Sequence, residues 1–149
     1  MQKITLGLGC FWGPEENFKN KPGIIATEVG YAGGNSPNVT YEEVCTGRTG
    51  HAEVVRLTYD EKVISFKKIL DLFFKMHDPT QKDMQYPDVG TQYRSEIFYE
   101  TDEEKKETEE VLNEKNKEFN GKIQTNISKL KNYCKAEEYH QKYIEKKGR

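Results

Sequence analysis

The chain has 149 residues, with 23 basic and 25 acidic side chains, a formal charge of −2 and a hydrophobic share of 34%. That length suits one domain around one core. The near-neutral charge gives no bulk attraction to nucleic acid or an anionic membrane, and no apolar run approaches the ~18 residues that span a bilayer. Three cysteines without C-x-x-C spacing argue against a disulfide framework or a zinc knuckle and fit a reducing compartment.

Met1-Gln2-Lys3 leads directly into a strand with no secretory leader, which makes the cytoplasm the expected location. Ile4 to Leu8 alternates apolar with small or polar residues, as a strand with one buried face does. Gly9 and Gly13 then bracket Cys10-Phe11-Trp12, and Pro14 stands where proline suits the first turn of a helix running through Phe18. A second strand is predicted over Ile24 to Tyr31, a glycine-rich loop over Ala32 to Asn38, and a short helix over Tyr41 to Cys45 capped by Thr40.

Ala52 to Tyr59 reads as a strand with Ala52, Val54, Arg56 and Thr58 on one face and Glu53, Val55, Leu57 and Tyr59 on the other. Ser65 caps an amphipathic helix to Met76, with Phe66, Ile69, Leu70 and Phe73 at helical spacing, and Asp78-Pro79 stops it. A strand over Tyr93 to Tyr99 follows. Thr101 and Glu104 make a capping box for a charged helix to about Phe119, ended by Asn120-Gly121. Ile123 to Leu130 reads as a last strand and Lys135 to Lys147 as a closing helix. The lysines of this last third alternate with glutamates, the pattern of a solvated surface. With no hairpin in the middle, the order implies an α/β (α+β) fold: a two-layer sandwich around a mixed sheet, a single domain over 1–149.

Cys10 stands out because the strand-to-helix junction aims its thiol at a helix N-terminus, where free N–H groups and the macrodipole favour a thiolate. The neutral alternative is a small buried hydrophobe. Around it, several blocks resemble type A peptide methionine sulfoxide reductases: Gly9-Cys10-Phe11-Trp12-Gly13, Glu28-Val29-Gly30-Tyr31-Ala32-Gly33-Gly34, Tyr41-Glu42-Glu43-Val44-Cys45-Thr46-Gly47 and Thr49-Gly50-His51-Ala52-Glu53-Val54-Val55. His77-Asp78-Pro79-Thr80, Asp88-Val89-Gly90-Thr91-Gln92-Tyr93-Arg94-Ser95 and Ala136-Glu137-Glu138-Tyr139-His140-Gln141 continue the resemblance, which runs over nearly the whole chain.

The resemblance implies the same two-layer architecture and a thiol-dependent reduction of free and protein-bound methionine sulfoxide, of the S epimer. Such chemistry needs a soft nucleophile, an acid for the departing oxygen, hydroxyl donors and an apolar seat for the methyl group. The matching positions assign Cys10 as nucleophile and Glu53 as acid, its pKa raised if it is buried. Tyr41 and Tyr93 would hold the oxygen, Phe11 and Trp12 would seat the methyl, and Asp88 would stand beside the tyrosines as polar support. His51 and His140 read as orienting or structural residues and not as metal ligands, and neither a metal nor a cofactor is expected.

The sequence ends at Lys146-Lys147-Gly148-Arg149 without the cysteine-bearing, glycine-rich tail many members carry, so Cys10 is expected to be recycled by another thiol. Cys134 is the internal candidate; Cys45 reads as structural. The external candidates are glutathione with glutaredoxin, or thioredoxin. The segment Lys82-Asp83-Met84-Gln85-Tyr86-Pro87 departs from the family's usual Arg-Gln-Gly-Asn loop. Two other classes compete. Gly7-Leu8-Gly9 with Gly13 and Glu28 imitates a dinucleotide fingerprint, although Phe11-Trp12 would obstruct a pyrophosphate. A non-catalytic binding module with an inert Cys10 is the other, and slow alkylation of the thiol near neutral pH would favour it.

Overall fold

The computed structural model describes residues 2–148. Its elements follow the chain as β1 (Gln2–Leu8), α1 (Trp12–Phe18), β2 (Ile24–Ala32), α2 (Tyr41–Cys45), β3 (Ala52–Tyr59), α3 (Phe66–Met76), β4 (Met84–Gln85), β5 (Asp88–Val89), β6 (Ser95–Tyr99), α4 (Asp102–Glu118), β7 (Asn126–Lys129), β8 (Cys134–Lys135) and α5 (Tyr143–Gly148). Short 3-10 turns stand at Thr91–Tyr93 and Glu138–His140.

A six-stranded sheet runs β7-β6-β1-β3-β2-β8. β1 pairs antiparallel with β3 and β6, β2 antiparallel with β3 and β8, and β7 lies parallel to β6, so the sheet is mixed as expected. The period-2 alternation sends Ile4, Leu6, Val29, Tyr31, Val55, Leu57, Tyr59 and Ile97 to one face, where they pack with Phe18 of α1, Ile69, Leu70 and Phe73 of α3, and Val111 of α4. Burying each large apolar side chain there contributes about 1.5–3 kcal/mol. The other face carries a thinner cluster of Ala32, Ala52, Val54 and Phe98 beneath Leu130 and Tyr133. Helices therefore cover one side, which gives the two layers. β1 and β2, neighbours in the dinucleotide reading, are separated by β3, so the βαβ unit which that reading requires is not formed.

Local caps behave largely as the sequence predicts. Ser65 Oγ accepts the Lys68 N–H at 3.0 Å. Thr40 and Glu43 form a complete capping box, with Thr40 Oγ1 accepting the Glu43 N–H at 3.2 Å and Glu43 Oε1 accepting the Thr40 N–H at 2.9 Å. At α4 the box is half formed: Thr101 Oγ1 accepts the Glu104 N–H, but the Glu104 carboxylate reaches back to the Glu100 N–H at 2.8 Å.

The closing helix is the largest departure from expectation. Only Tyr143–Gly148 is α-helical, preceded by the 3-10 turn at Glu138–His140. Cys134 and Lys135 instead pair with Tyr31 and Gly30 on the open edge of β2. Beyond them, the Gln141 side chain extends the edge: its Oε1 accepts the Val29 N–H at 2.9 Å and its Nε2 donates to the Val29 carbonyl at 2.8 Å. Unpaired groups on a sheet edge are costly, and satisfying them overrides a weak local helix propensity. Tyr93 likewise ends a 3-10 turn, with the strand starting at Ser95; the strand read over Ile123 to Leu130 contracts to β7. The middle of the chain is not hairpin-free, since β4 and β5 form a separate ribbon.

Candidate active site

β1 delivers the chain to Gly9, whose φ of +93° turns it toward α1. A Cβ at Gly9 would lie 2.9 Å from Gln85, so the β4–β5 ribbon packs directly on the backbone beside Cys10. Cys10 itself is half-buried. Across the sheet, Glu53 near the start of β3 is 1% exposed, and its Oε1 accepts the Phe11 N–H at 3.2 Å. The residue after the cysteine is thus tied to the buried carboxyl.

Burial dominates the electrostatics. It lifts the Glu53 carboxyl to about 8, against a smaller opposite pull from the Phe11 N–H, with the charge of Asp88 adding to the rise. At neutral pH Glu53 is therefore mainly a proton-bearing acid. The Cys10 thiol is pushed up to about 11, chiefly by burial, then by the charges of Glu53 and Asp88. This corrects the thiolate expected from the strand-to-helix junction. The short helix α1 supplies one lowering contact, the Trp12 N–H, and desolvation outweighs it.

The charge of Glu53 also raises the pKa values of Tyr41, Tyr93 and Cys45, after burial in each case, so these groups surround one carboxyl. Tyr93 feels Asp88 and Cys10 as well. The fold therefore brings together Cys10, Glu53, Tyr41, Asp88 and Tyr93 from the turn after β1, β3, α2, β5 and the turn before β6. Cys45 stands one turn beyond Tyr41 on α2, and burial raises the pKa of both.

Phe11 and Trp12 wall the same space. Phe11 is buried, its ring centroid 5.7 Å from Tyr31 and 5.2 Å from His140. Trp12 stacks on Tyr143 of α5 at 3.8 Å and 10°, and its Nε1–H donates to His140 Nδ1 at 3.1 Å. That bond fixes a neutral His140, in line with the burial that lowers its pKa, and the Tyr41 ring lies 4.6 Å away on the same imidazole. Glu137 completes the support: one oxygen accepts the Tyr31 hydroxyl at 2.8 Å, the other the Tyr41 N–H at 2.9 Å. The orienting role read for His140 thus acquires a partner, whereas Glu137 and Tyr143 were not singled out in the sequence. Glu137 shares a block with His140, whereas Tyr143 lies two residues beyond that block and carried no signal of its own.

Because Trp12 is the chain's single tryptophan, its emission reports this bond. His140→Phe keeps a flat ring but removes the acceptor; it should alter the emission spectrum and lower stability in urea by about 1 kcal/mol. An unchanged spectrum would mean the indole is not held by His140.

Cys134 lies apart. Its register partner is Tyr31, which in turn pairs with Glu53, so it sits on the same face two strands from the carboxyl, with the Tyr31 ring between. Its thiol lies 3.6 Å from the Val39 carbonyl, and all three cysteines are free. His51 holds the loop after β2, its Nε2–H shared between the Ser36 and Asn132 carbonyls at 2.9 and 3.2 Å. Among the described residues, no group of three or more His, Cys, Asp or Glu side chains is placed to hold a metal, and no helix is long and apolar enough to cross a membrane.

Known proteins share both this sequence and this shape. The family model described as peptide methionine sulfoxide reductase matches residues 2–149. Peptide methionine sulfoxide reductase MsrA of Pelagibacter ubique is 57% identical over 147 residues, covering 99% of this chain and all of that one. Mxr1 from Saccharomyces cerevisiae in reduced form superposes with a TM-score of 0.94 at 42% identity, over 99% of this chain and 86% of its own. The same yeast protein in complex with Trx2 matches at a TM-score of 0.68 and 30% identity, over 95% and 84%. The chain belongs to the peptide methionine sulfoxide reductase family.

Proposed function

We propose that the protein reduces the S epimer of free and protein-bound methionine sulfoxide to methionine in the cytoplasm, as one catalytic domain over residues 1–149. The observation that carries this reading is the buried Glu53 carboxyl, protonated near neutral pH and bonded to the Phe11 N–H beside Cys10. A carboxylic acid in that state serves a departing oxygen.

In the step, the Cys10 sulfur attacks the sulfoxide sulfur while Glu53 protonates the oxygen and the Tyr41 and Tyr93 hydroxyls hold it. Phe11 and Trp12 seat the methyl group, and Asp88 supports the polar side of the pocket. Cys10 thiol plus sulfoxide gives Cys10 sulfenic acid plus methionine: oxygen moves between sulfurs, one oxidised and the other reduced by two electrons. Two further thiols then return the sulfenic acid to the thiol, releasing water and leaving a disulfide. Thioredoxin or glutaredoxin with glutathione supplies them, and the yeast relative's complex with Trx2 supports the first.

The test is a single turnover of the reduced protein with each separated epimer and no added reductant, followed by mass spectrometry of Cys10. One equivalent of methionine from the S epimer alone, with sulfenic acid at Cys10, is expected; no methionine from either epimer would return the chain to the binding-module reading. Cys134→Ser is expected to leave turnover with a glutaredoxin system nearly unchanged, because a disulfide needs Cα atoms within about 7 Å and the Tyr31 ring separates this thiol from the Glu53 carboxyl. Collapse with every reductant would make Cys134 the resolving thiol.

A further inference from the structure

We propose that Glu137 is a positioning residue for the sulfoxide oxygen: by bridging Tyr31 and Tyr41, its carboxylate sets the Tyr41 hydroxyl against the Glu53 acid. This rests on the reductase reading above and adds to it a residue that acts through Tyr41.

The two oxygens of Glu137 are divided between two elements. One accepts the Tyr31 hydroxyl at 2.8 Å, the other the Tyr41 N–H at 2.9 Å. Tyr31 is fully buried on β2 and stands opposite Glu53 in the register of β2 with β3. Tyr41 is the first residue of α2, where a backbone N–H has no partner inside its own helix. The carboxylate thus links the strand beside the acid to the helix that carries the hydroxyl, and these are the two groups that act on one departing oxygen.

The bond to Tyr41 has no substitute. Within residues 40–46 the capping box and the turn at Thr46 are closed locally. Among the described residues, the bond to Glu137, 96 positions away, is the one hydrogen bond that ties this segment to a distant part of the chain. The buried Val44 packs α2 against the core, but apolar packing is non-directional and does not by itself fix the helix's angle. The Tyr41 hydroxyl stands at the far end of a rigid ring, so a small tilt of the backbone is multiplied there. A misplacement of about 1 Å can cost ~10²-fold in rate.

Glu137 is itself held from both sides. Cys134 and Lys135 pair with β2, the Ala136 N–H donates to the Val29 carbonyl at 3.0 Å, and the Gln141 side chain clasps the Val29 backbone from beyond. Burial alone would raise the Glu137 pKa, but hydrogen bonds outweigh it, the one from the Tyr41 N–H foremost, and hold the carboxyl below its ordinary value. It is therefore an anion at neutral pH, with both oxygens free to accept. The edge pairing that displaces the expected helix over residues 134–141 delivers this bridge to the site.

The experiment measures the single-turnover rate of methionine release as the concentration of free methionine S-sulfoxide is raised. Glu137→Ala should lower the limiting rate about 10–100-fold and change the half-saturating concentration less than about threefold. Glu137→Gln should stay within about threefold of the wild-type protein, because its amide oxygen still accepts the Tyr41 N–H while its NH2 donates to the Tyr31 hydroxyl oxygen. Glu137→Asp keeps the charge but is one methylene too short to span both partners, so it should lose more than glutamine does; it takes the place of alanine throughout if the alanine variant does not fold. In a Tyr41→Phe background, Glu137→Ala should cost less than about threefold, whereas a merely structural role would persist without the hydroxyl. A fall of about tenfold or more in that background overturns the proposal, as does an unchanged rate in Glu137→Ala or a glutamine variant that loses as much as alanine or aspartate. If Tyr41→Phe alone leaves the rate unchanged, the hydroxyl's role fails with Glu137 intact, and the proposal fails with it. If the wild-type protein releases no methionine, the reductase reading itself fails.

Discussion

Glu53→Gln is expected to slow methionine release in a single turnover by about 10²–10⁴-fold while substrate binding survives. Glutamine keeps the volume and an oxygen that still accepts the Phe11 N–H, so the turn holding Cys10 stays in place; what it lacks is the proton for the departing oxygen. In the wild-type protein the rate should fall as pH rises through about 8, where Glu53 loses that proton, and the variant's residual rate should show no such inflection. An unchanged rate would remove Glu53 from the acid role. Stability gives an independent reading. Between the ordinary value of 4.5 and about 8, the folded protein holds a proton that the unfolded chain has released, so stability declines with rising pH across that window and stays reduced above it. At about 1.4 kcal/mol per tenfold change in proton affinity, the cost is roughly 4–5 kcal/mol. Urea melts should therefore find Glu53→Gln more stable than the wild-type protein at pH 8.5 and nearly equal to it at pH 4.5.

Cys10→Ser is expected to abolish methionine formation, because a serine hydroxyl cannot take the oxygen into a stable oxidised state as sulfur does. Mass spectrometry after single turnover should find no oxidised residue at position 10, and methionine released at the wild-type rate would refute the role. The structure also changes how alkylation is read. With the thiol pushed up to about 11, iodoacetamide should label Cys10 slowly at pH 7, and labelling should accelerate almost tenfold per pH unit above it. Slow labelling at neutral pH therefore does not mark an inert cysteine here.

Much of the fold was legible because its signals were local or strictly periodic. The alternation through Glu53, Val55, Leu57 and Tyr59 placed all four on the helix-covered face. Ser65 and Thr40 capped the helices that they precede, since a cap needs only its own first turn. The misreadings came from long-range competition. Residues 134–141 have helical composition, yet the free edge of β2 claimed their backbone and the Gln141 amide, and nothing within that stretch announces the edge. The Cys10 thiolate failed for a related reason. A helix N-terminus is visible in sequence, but the depth at which the thiol is buried and the nearness of Glu53 and Asp88 belong to tertiary structure. Candidate site residues from five separate segments were legible only through motifs, because their convergence depends on β1, β3 and the ribbon meeting at one end of the sheet.

The bond from Trp12 to His140 joins residues 128 positions apart, and the buried Glu15 carboxylate accepts the Lys142 N–H at 2.7 Å across 127 positions. At synthesis rates of about 5–20 residues per second, the N-terminal half of the pocket waits roughly 6–25 s for its other wall. Contacts of such sequence separation also form late on topological grounds, since the intervening chain must be ordered first. The geometry around Cys10 is thus completed late: a nascent chain bears the cysteine almost from the start, yet Trp12 and Glu15 lack these partners until His140 and Lys142 have been made and docked.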